Sequence, residues 1–220
     1  MLSLPAAAIG EVLRAVSQEI VRQIRPTVPA CHHEACEITW AACDLRKYLN
    51  GEFYDSFGEA DRAWIIEVTN ENHDNPWYGT SGGNPTTDRI FLLSIDEVLK
   101  YFGDSGQIKT RYMYPDCDWC KDEFLPWLDD QYNLNRRAVD DEGIVRSWRL
   151  RSPGANKRSV AVVAGFVGDG FDHGEIGIGN ADLLVDGHFL QDGPGYLSSG
   201  IPGEKNINGV RPALWLRMIL

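Results

Sequence analysis

Between residues 9 and 24 the apolar side chains Ile9, Val12, Leu13, Val16, Ile20 and Ile24 recur at steps of three and four, with Glu11, Arg14, Gln18 and Arg22 between them. A 3.6-residue period gathers them on one face, so the spacing predicts an amphipathic helix. Pro26 and Pro29 end it, because proline lacks an amide donor and clashes with the preceding turn. Residues 1–29 therefore read as a helix with a stiff connection, its apolar stripe packing either on the same chain or on a second copy. Residues 30–220 read as one domain. Within it, Thr39 is a candidate N-cap for a helix Trp40–Leu49 that turns Trp40, Cys43 and Leu45 inward and closes at Asn50-Gly51. Ala60, Trp64, Ile65 and Val68 at helical spacing predict a second short helix.

Residues 70–87 carry Gly79, Gly82, Gly83, Pro76 and Pro85 around Trp77 and Tyr78, the pattern of a long ordered loop. Next, the run 89–93 predicts a buried strand, and Ser94-Ile-Asp-Glu97 is a capping box opening a helix through Val98, Leu99, Tyr101 and Phe102 to Gly103. Residues 112–142, rich in Asp and aromatics, show no sustained period and read as a cysteine-containing insertion away from the core. Beyond Gly143 the pattern turns to strands at 145–151, 159–166, 181–185 with 188–190, and 210–218, separated by Gly and Asn turns. Helices first and strands later make an α+β domain, without the repeated βαβ unit of a doubly wound sheet.

Composition narrows the function classes. With 43% hydrophobic residues among 220, the chain can bury an ordinary core, which excludes a disordered protein. Lys+Arg 21 against Asp+Glu 32 leaves a net charge of -11, the wrong sign for a surface that neutralises phosphates, so nucleic acid is not an expected partner. Runs such as 90–93 and 160–164 fall far short of the roughly 20 apolar residues that span a bilayer, so no membrane insertion is expected. The first residues lack the Lys or Arg of a secretory leader, which points to a cytoplasmic or virion-associated protein.

Five cysteines carry the clearest chemistry. Cys43 reads as a plain buried thiol on the inward face of its helix. Cys31-His-His-Glu-Ala-Cys36 and Cys117-Asp-Trp-Cys120 form two close pairs, and four such thiolates suit tetrahedral Zn²⁺ at about 2.3 Å, with His32 or His33 able to replace one. A structural zinc would shape an insertion that has little periodicity of its own. In an oxidising destination the same four cysteines would instead form disulfides, and a Cys-x-x-Cys redox site lacks the preceding strand it needs. Asp74, Asn75 and Asp88 flank the glycine-rich loop and have the oxygen chemistry of a Ca²⁺ site, although such residues more often pin turns. No zinc-protease, phosphate-loop, nucleophile-elbow or dinucleotide motif is present, and no carboxylate pair stands out by spacing.

Five blocks carry a family resemblance: residues 38–54, 74–83, 87–97, 147–154 and 209–216. In this order they resemble an uncharacterised bacterial and phage domain, domain of unknown function six-two-seven-three. The chain departs from that pattern before Ile38 and again at 112–135. The closing order, a Trp-Arg-Leu-Arg strand, a Gly/Asn-rich stretch and a Gly-Val-Arg-Pro-Ala-Leu strand, is similar to C-type-lectin-like folds of the formylglycine-generating-enzyme type. Those folds include the variable proteins that diversity-generating retroelements mutate near their C-termini. The resemblance implies a non-catalytic binder of a protein or glycan ligand, with its variable stretch between about Gly165 and Asn208.

The residue types there agree: aromatic anchors with short polar neighbours are what adaptable binding loops use. Phe171, Asp172, His173, Asn180, His188, Tyr196 and Asn206 are accordingly the expected ligand-binding residues, and Cys31, Cys36, Cys117 and Cys120 the expected metal ligands. Two other classes stand beside this reading. One is a metal- or thiol-dependent enzyme built on the four cysteines. The other is a homo-oligomeric structural protein joined through the 9–24 helix.

Overall fold

Ile90, Phe91 and Leu92 are buried in succession, which on a strand means that both of its faces are covered. This strand lies in the core of the described part. The structure, a computed structural model, describes residues 39–109, 128–139, 143, 145–155, 159–164, 174, 176–180 and 210–217. The 9–24 helix, Cys31, Cys36, Cys117, Cys120, Phe171, Asp172, His173, His188, Tyr196 and Asn206 lie outside the described residues.

In chain order the elements are a 3-10 turn Trp40–Ala42, α1 Asp44–Tyr48, a π turn Leu49–Phe53, α2 Glu59–Arg62, β1 Ile65–Ile66, β2 Val68–Asn70, β3 Thr86–Asp88, β4 Ile90–Leu92 and α3 Ile95–Phe102. There follow α4 Asn133–Arg136, β5 Ala138–Val139, β6 Val145–Arg146, β7 Trp148–Pro153, β8 Ser159–Val163, β9 Ile176–Asn180 and β10 Pro212–Leu216. All strand pairings are antiparallel: β1-β10-β4, β2-β3, β5-β6 and β7-β8-β9. The described part is thus a mixed α+β fold of short helices and small antiparallel sheets. No helix among the described residues is long and apolar enough to cross a membrane.

The expected helix Trp40–Leu49 is broken. Thr39 is extended and makes no side-chain cap bond, and the chain extends again at Cys43, ψ 132°. Buried Asp88 explains the break. Trp40 Nε1 donates to its Oδ2 at 3.0 Å and Arg46 Nε to its Oδ1 at 2.6 Å. On a continuous helix those two side chains would point about 120° apart, and the bend at Cys43 lets both reach one carboxylate. Asn50 then serves the outer edge of β4, its Oδ1 accepting from Arg89 N at 2.7 Å and Ile90 N at 3.1 Å, its Nδ2 donating to Ile90 O at 2.8 Å.

The second expected helix stops at Arg62. Ile65, Ile66 and Val68 go into strands instead, because β-branched side chains suit a pleated surface and their partners arrive from far along the chain. Ile65 pairs with Leu216 and Ile66 with Trp215, while Val68 pairs with Asp88. The capping box forms as read: Glu97 N donates to Ser94 Oγ at 3.2 Å and Ser94 N to Glu97 Oε2 at 2.9 Å. Gly103 ends α3 at φ +120°, and a Cβ there would sit 2.3 Å from the Tyr132 ring. Glycine is needed twice over, for backbone and for space.

Arg151 fastens β7 to β4 and α3. Its guanidinium donates to Leu92 O at 2.8 Å, Asn72 Oδ1 at 3.2 Å and Glu71 O at 3.3 Å, and pairs with Glu97, while its amide donates to Leu93 O at 3.0 Å. The strand Ile176–Asn180 is a further difference from the sequence expectation, which placed no strand there.

Candidate recognition surface

Trp148, Val163 and Ile176 stand opposite one another across β7, β8 and β9, and Leu128 forms an isolated bridge to Ile176. All four are at most 2% exposed. They make one buried row across the sheet. The bridge is reciprocal: Leu128 N donates to Ile176 O at 2.9 Å and Ile176 N to Leu128 O at 3.0 Å.

Three stretches outside the described residues start or finish at this row. Residues 110–127, with Cys117 and Cys120, finish at Leu128. Residues 165–173, with Phe171, Asp172 and His173, run from Ala164 to Gly174, whose N–H donates to Ala164 O at 3.0 Å. Residues 181–209, with His188, Tyr196 and Asn206, leave β9 after Asn180 and finish beside Arg211. Asn180 closes β9 opposite Ser159. The Arg211 guanidinium lies 5.0 Å from the ring centres of both Trp148 and Phe102, whose rings meet edge to face at 6.3 Å. Cation–π contact and aromatic packing thus hold this chain end against the row.

A buried polar cluster stiffens the same place. Arg136 is fully buried and pairs with Asp130 at 2.8 Å, its Nη2 also donating to Gly103 O at 2.9 Å. Trp148 Nε1 in turn donates to Arg136 O at 3.0 Å. Burial by itself would raise the Asp130 pKa, but hydrogen bonds from Arg136, Ser105 and the Tyr132 amide outweigh it and hold the carboxyl below its ordinary range. Gly174, at φ +120°, packs so closely on α4 that a Cβ would fall 1.8 Å from Asn133 O. Gly174 therefore leaves no room for a side chain at that point.

The glycine-rich loop is pinned as turns usually are. Asn75 Oδ1 accepts from Trp77 N at 2.8 Å and Tyr78 N at 3.0 Å, its Nδ2 donates to Pro153 O at 2.8 Å, and Asp74 Oδ1 accepts from Gly82 N at 3.0 Å. Asp88 accepts from Trp40, Asn70, Thr86, Arg46 and Asn50. Asp74, Asn75 and Asp88 are therefore engaged with the chain itself, and no group of three or more His, Cys, Asp or Glu suited to a metal ion occurs among the described residues. Trp77 packs against the core and donates Nε1 to Ile108 O, whereas Tyr78 is 43% exposed. Cys43 is a free thiol packed on the core, its pKa pushed up by burial.

The residues that build the row, Leu128, Trp148, Val163 and Ile176, and those that brace it, Arg136 and Arg211, were not among the expected site residues. Trp148 and Arg211 do fall inside the family-like blocks, which was the signal available. Leu128 and Ile176 had none, since their pairing is long-range.

The fold and this surface define a mixed α+β domain in which small antiparallel sheets hold long connecting segments at fixed points. The chain belongs to the family described as Domain of unknown function (DUF6273), whose match over residues 16–218 contains the five sequence blocks and begins ahead of Ile38, where a departure from the family pattern was expected. No curated protein and no solved structure matches it.

Proposed function

We propose that the chain is a non-catalytic ligand-binding protein on a C-type-lectin-like domain, a bacterial or phage recognition protein whose site lies in the C-terminal loops. The supporting observation is that three long segments each have a described end next to the buried row Trp148-Val163-Ile176-Leu128 or at Val210, beside the Arg211 that stacks on Trp148. Binding loops gain affinity when a rigid base takes up the cost of ordering them. The ligand class is a protein or a glycan, read by aromatic anchors with Asn and Asp neighbours. Cys31, Cys36, Cys117 and Cys120 hold a structural zinc in this reading, shaping the segment that finishes at Leu128.

The test uses full-length protein on a glycan microarray and on an array of bacterial surface proteins. The strongest hit is then titrated with the variant carrying Phe171→Ala, His188→Ala and Tyr196→Ala. We expect the variant to melt with the wild type and to lose at least ~10-fold in affinity, as truncating aromatic anchors does. Unchanged affinity in a folded triple variant would place the site elsewhere.

A further inference from the structure

Arg217 N donates to Trp64 O at 2.8 Å, which carries the β1–β10 ladder one rung past the pairs Ile66↔Trp215 and Ile65↔Leu216. Side chains alternate across a strand, so Trp64 and Ile66 share a face with Trp215, and Trp64 is its diagonal neighbour, within reach of a large ring. From α3, Tyr101 meets the Trp215 ring edge to face at 6.0 Å. Further along the same face of β10, Ala213 and its partner Phe91 are buried, yet Trp64, Tyr101 and Trp215 are each 38–44% exposed. Three large aromatics side by side form a patch, unlike the single apolar residues scattered over an ordinary surface.

The apolar stripe Ile9, Val12, Leu13, Val16, Ile20 and Ile24 needs a surface of this kind to cover it. The family match begins at residue 16, inside the stripe, so this segment belongs with the domain and is not a separate appendage. The tether is long enough. Trp40 is hydrogen-bonded to Asp88, Asp88 pairs with Val68, and Val68 lies two residues from Ile66, the partner of Trp215. Those steps put Trp40 within about 30 Å of Trp215, whereas residues 25–38 can span about 46 Å when extended. A connection this short holds the stripe at an effective concentration in the millimolar range, which a second copy in dilute solution does not match.

We propose that the apolar stripe of residues 9–24 docks as an amphipathic helix on the Trp64–Tyr101–Trp215 patch of its own chain. β10 joins β1 to β4, so a helix laid there ties the beginning of the chain to its last strand. Docking uses up the stripe, which leaves the chain a monomer. The proposal does not depend on the recognition loops or on what they bind.

The experiment is hydroxyl-radical footprinting of the full-length protein in dilute solution, with sedimentation velocity on the same samples, comparing wild type with the variant Val16→Asp plus Ile20→Asp. Trp64, Tyr101 and Trp215 are expected to oxidise at least ~3-fold faster in the variant, since a docked helix shields most of the ring area that the sheet leaves open. Trp40 and Trp148 are buried in the core and report whether the variant is folded; their labelling should not change. If it does, Val16→Ala plus Ile20→Ala takes the variant's place, and a rise confined to the three patch aromatics is expected there. Both wild type and variant should sediment as monomers. Equal oxidation of Trp64, Tyr101 and Trp215 in wild type and a folded variant overturns the proposal. So does a wild-type dimer that the variant dissociates, because a second copy would then be what covers the stripe.

Discussion

Replacing Asp88 removes the acceptor on which the first half of the fold closes. Its side chain is 0% exposed and takes hydrogen bonds from Trp40 Nε1, Asn70 Nδ2, Thr86 Oγ1, Arg46 Nε and Asn50 Nδ2. Asp88→Ala leaves the buried Trp40 and Asn70 donors empty, at about 1–3 kcal/mol each. Arg46 is 25% exposed and recovers part of its loss from water. The Thr86 hydroxyl can rotate to another acceptor. The sum is a destabilisation of about 4 kcal/mol, and at ~2–4 °C per kcal/mol for a chain of this size the melting temperature should fall by about 8–16 °C. Urea unfolding of both proteins measures it. A loss under about 1 kcal/mol would mean that the Asp88 bonds do not join the Trp40 turn to the sheet.

Acid titration gives a second, independent reading of the same residue. Burial would raise the Asp88 pKa, but the hydrogen bonds from Trp40, Thr86, Asn70 and Arg46 outweigh it and hold it below the ordinary 3.8. A carboxyl whose pKa is lower in the folded state contributes stability above its unfolded pKa and loses it as pH falls through the folded one. The gap between wild type and Asp88→Asn should therefore be constant from pH 7 down to about 4 and narrow below that. A gap that stays constant to pH 2 would refute the assignment.

Two further predictions address the recognition surface. Gly174→Ala forces a Cβ against Asn133 O at a backbone angle that alanine avoids, and should cost at least ~2 kcal/mol in denaturant unfolding; a neutral substitution would show that the 165–173 segment is not fixed at that point. Native mass spectrometry of protein purified without added metal should show one zinc per chain, with all five cysteines open to a thiol label after denaturation. One labelled thiol and no metal would instead mean two disulfides, and an open zinc position carrying water would favour the enzyme reading.

The elements legible in the sequence are those whose causes lie within a few residues of one another. The Ser94–Glu97 capping box closes over one turn, and the apolar run at Ile90 needs only to be buried, so both are found where their residues predict them. The family blocks were equally legible, because they are strings. The break at Cys43 was not, since its cause is Asp88, more than forty residues away. Ile65 and Val68 have a helical spacing that loses to strand partners contributed by β10 and β3. β9 alternates isoleucine with glycine, a weak strand signal until β8 supplies the hydrogen bonds. Most of all, nothing local separates Arg136, Arg149, Arg151 and Arg211. Tertiary packing alone gives Arg136 a buried aspartate, Arg151 a capping glutamate and Arg211 two aromatic rings, and leaves Arg149 partly buried, because the sequence specifies a charge but only the fold specifies what surrounds it.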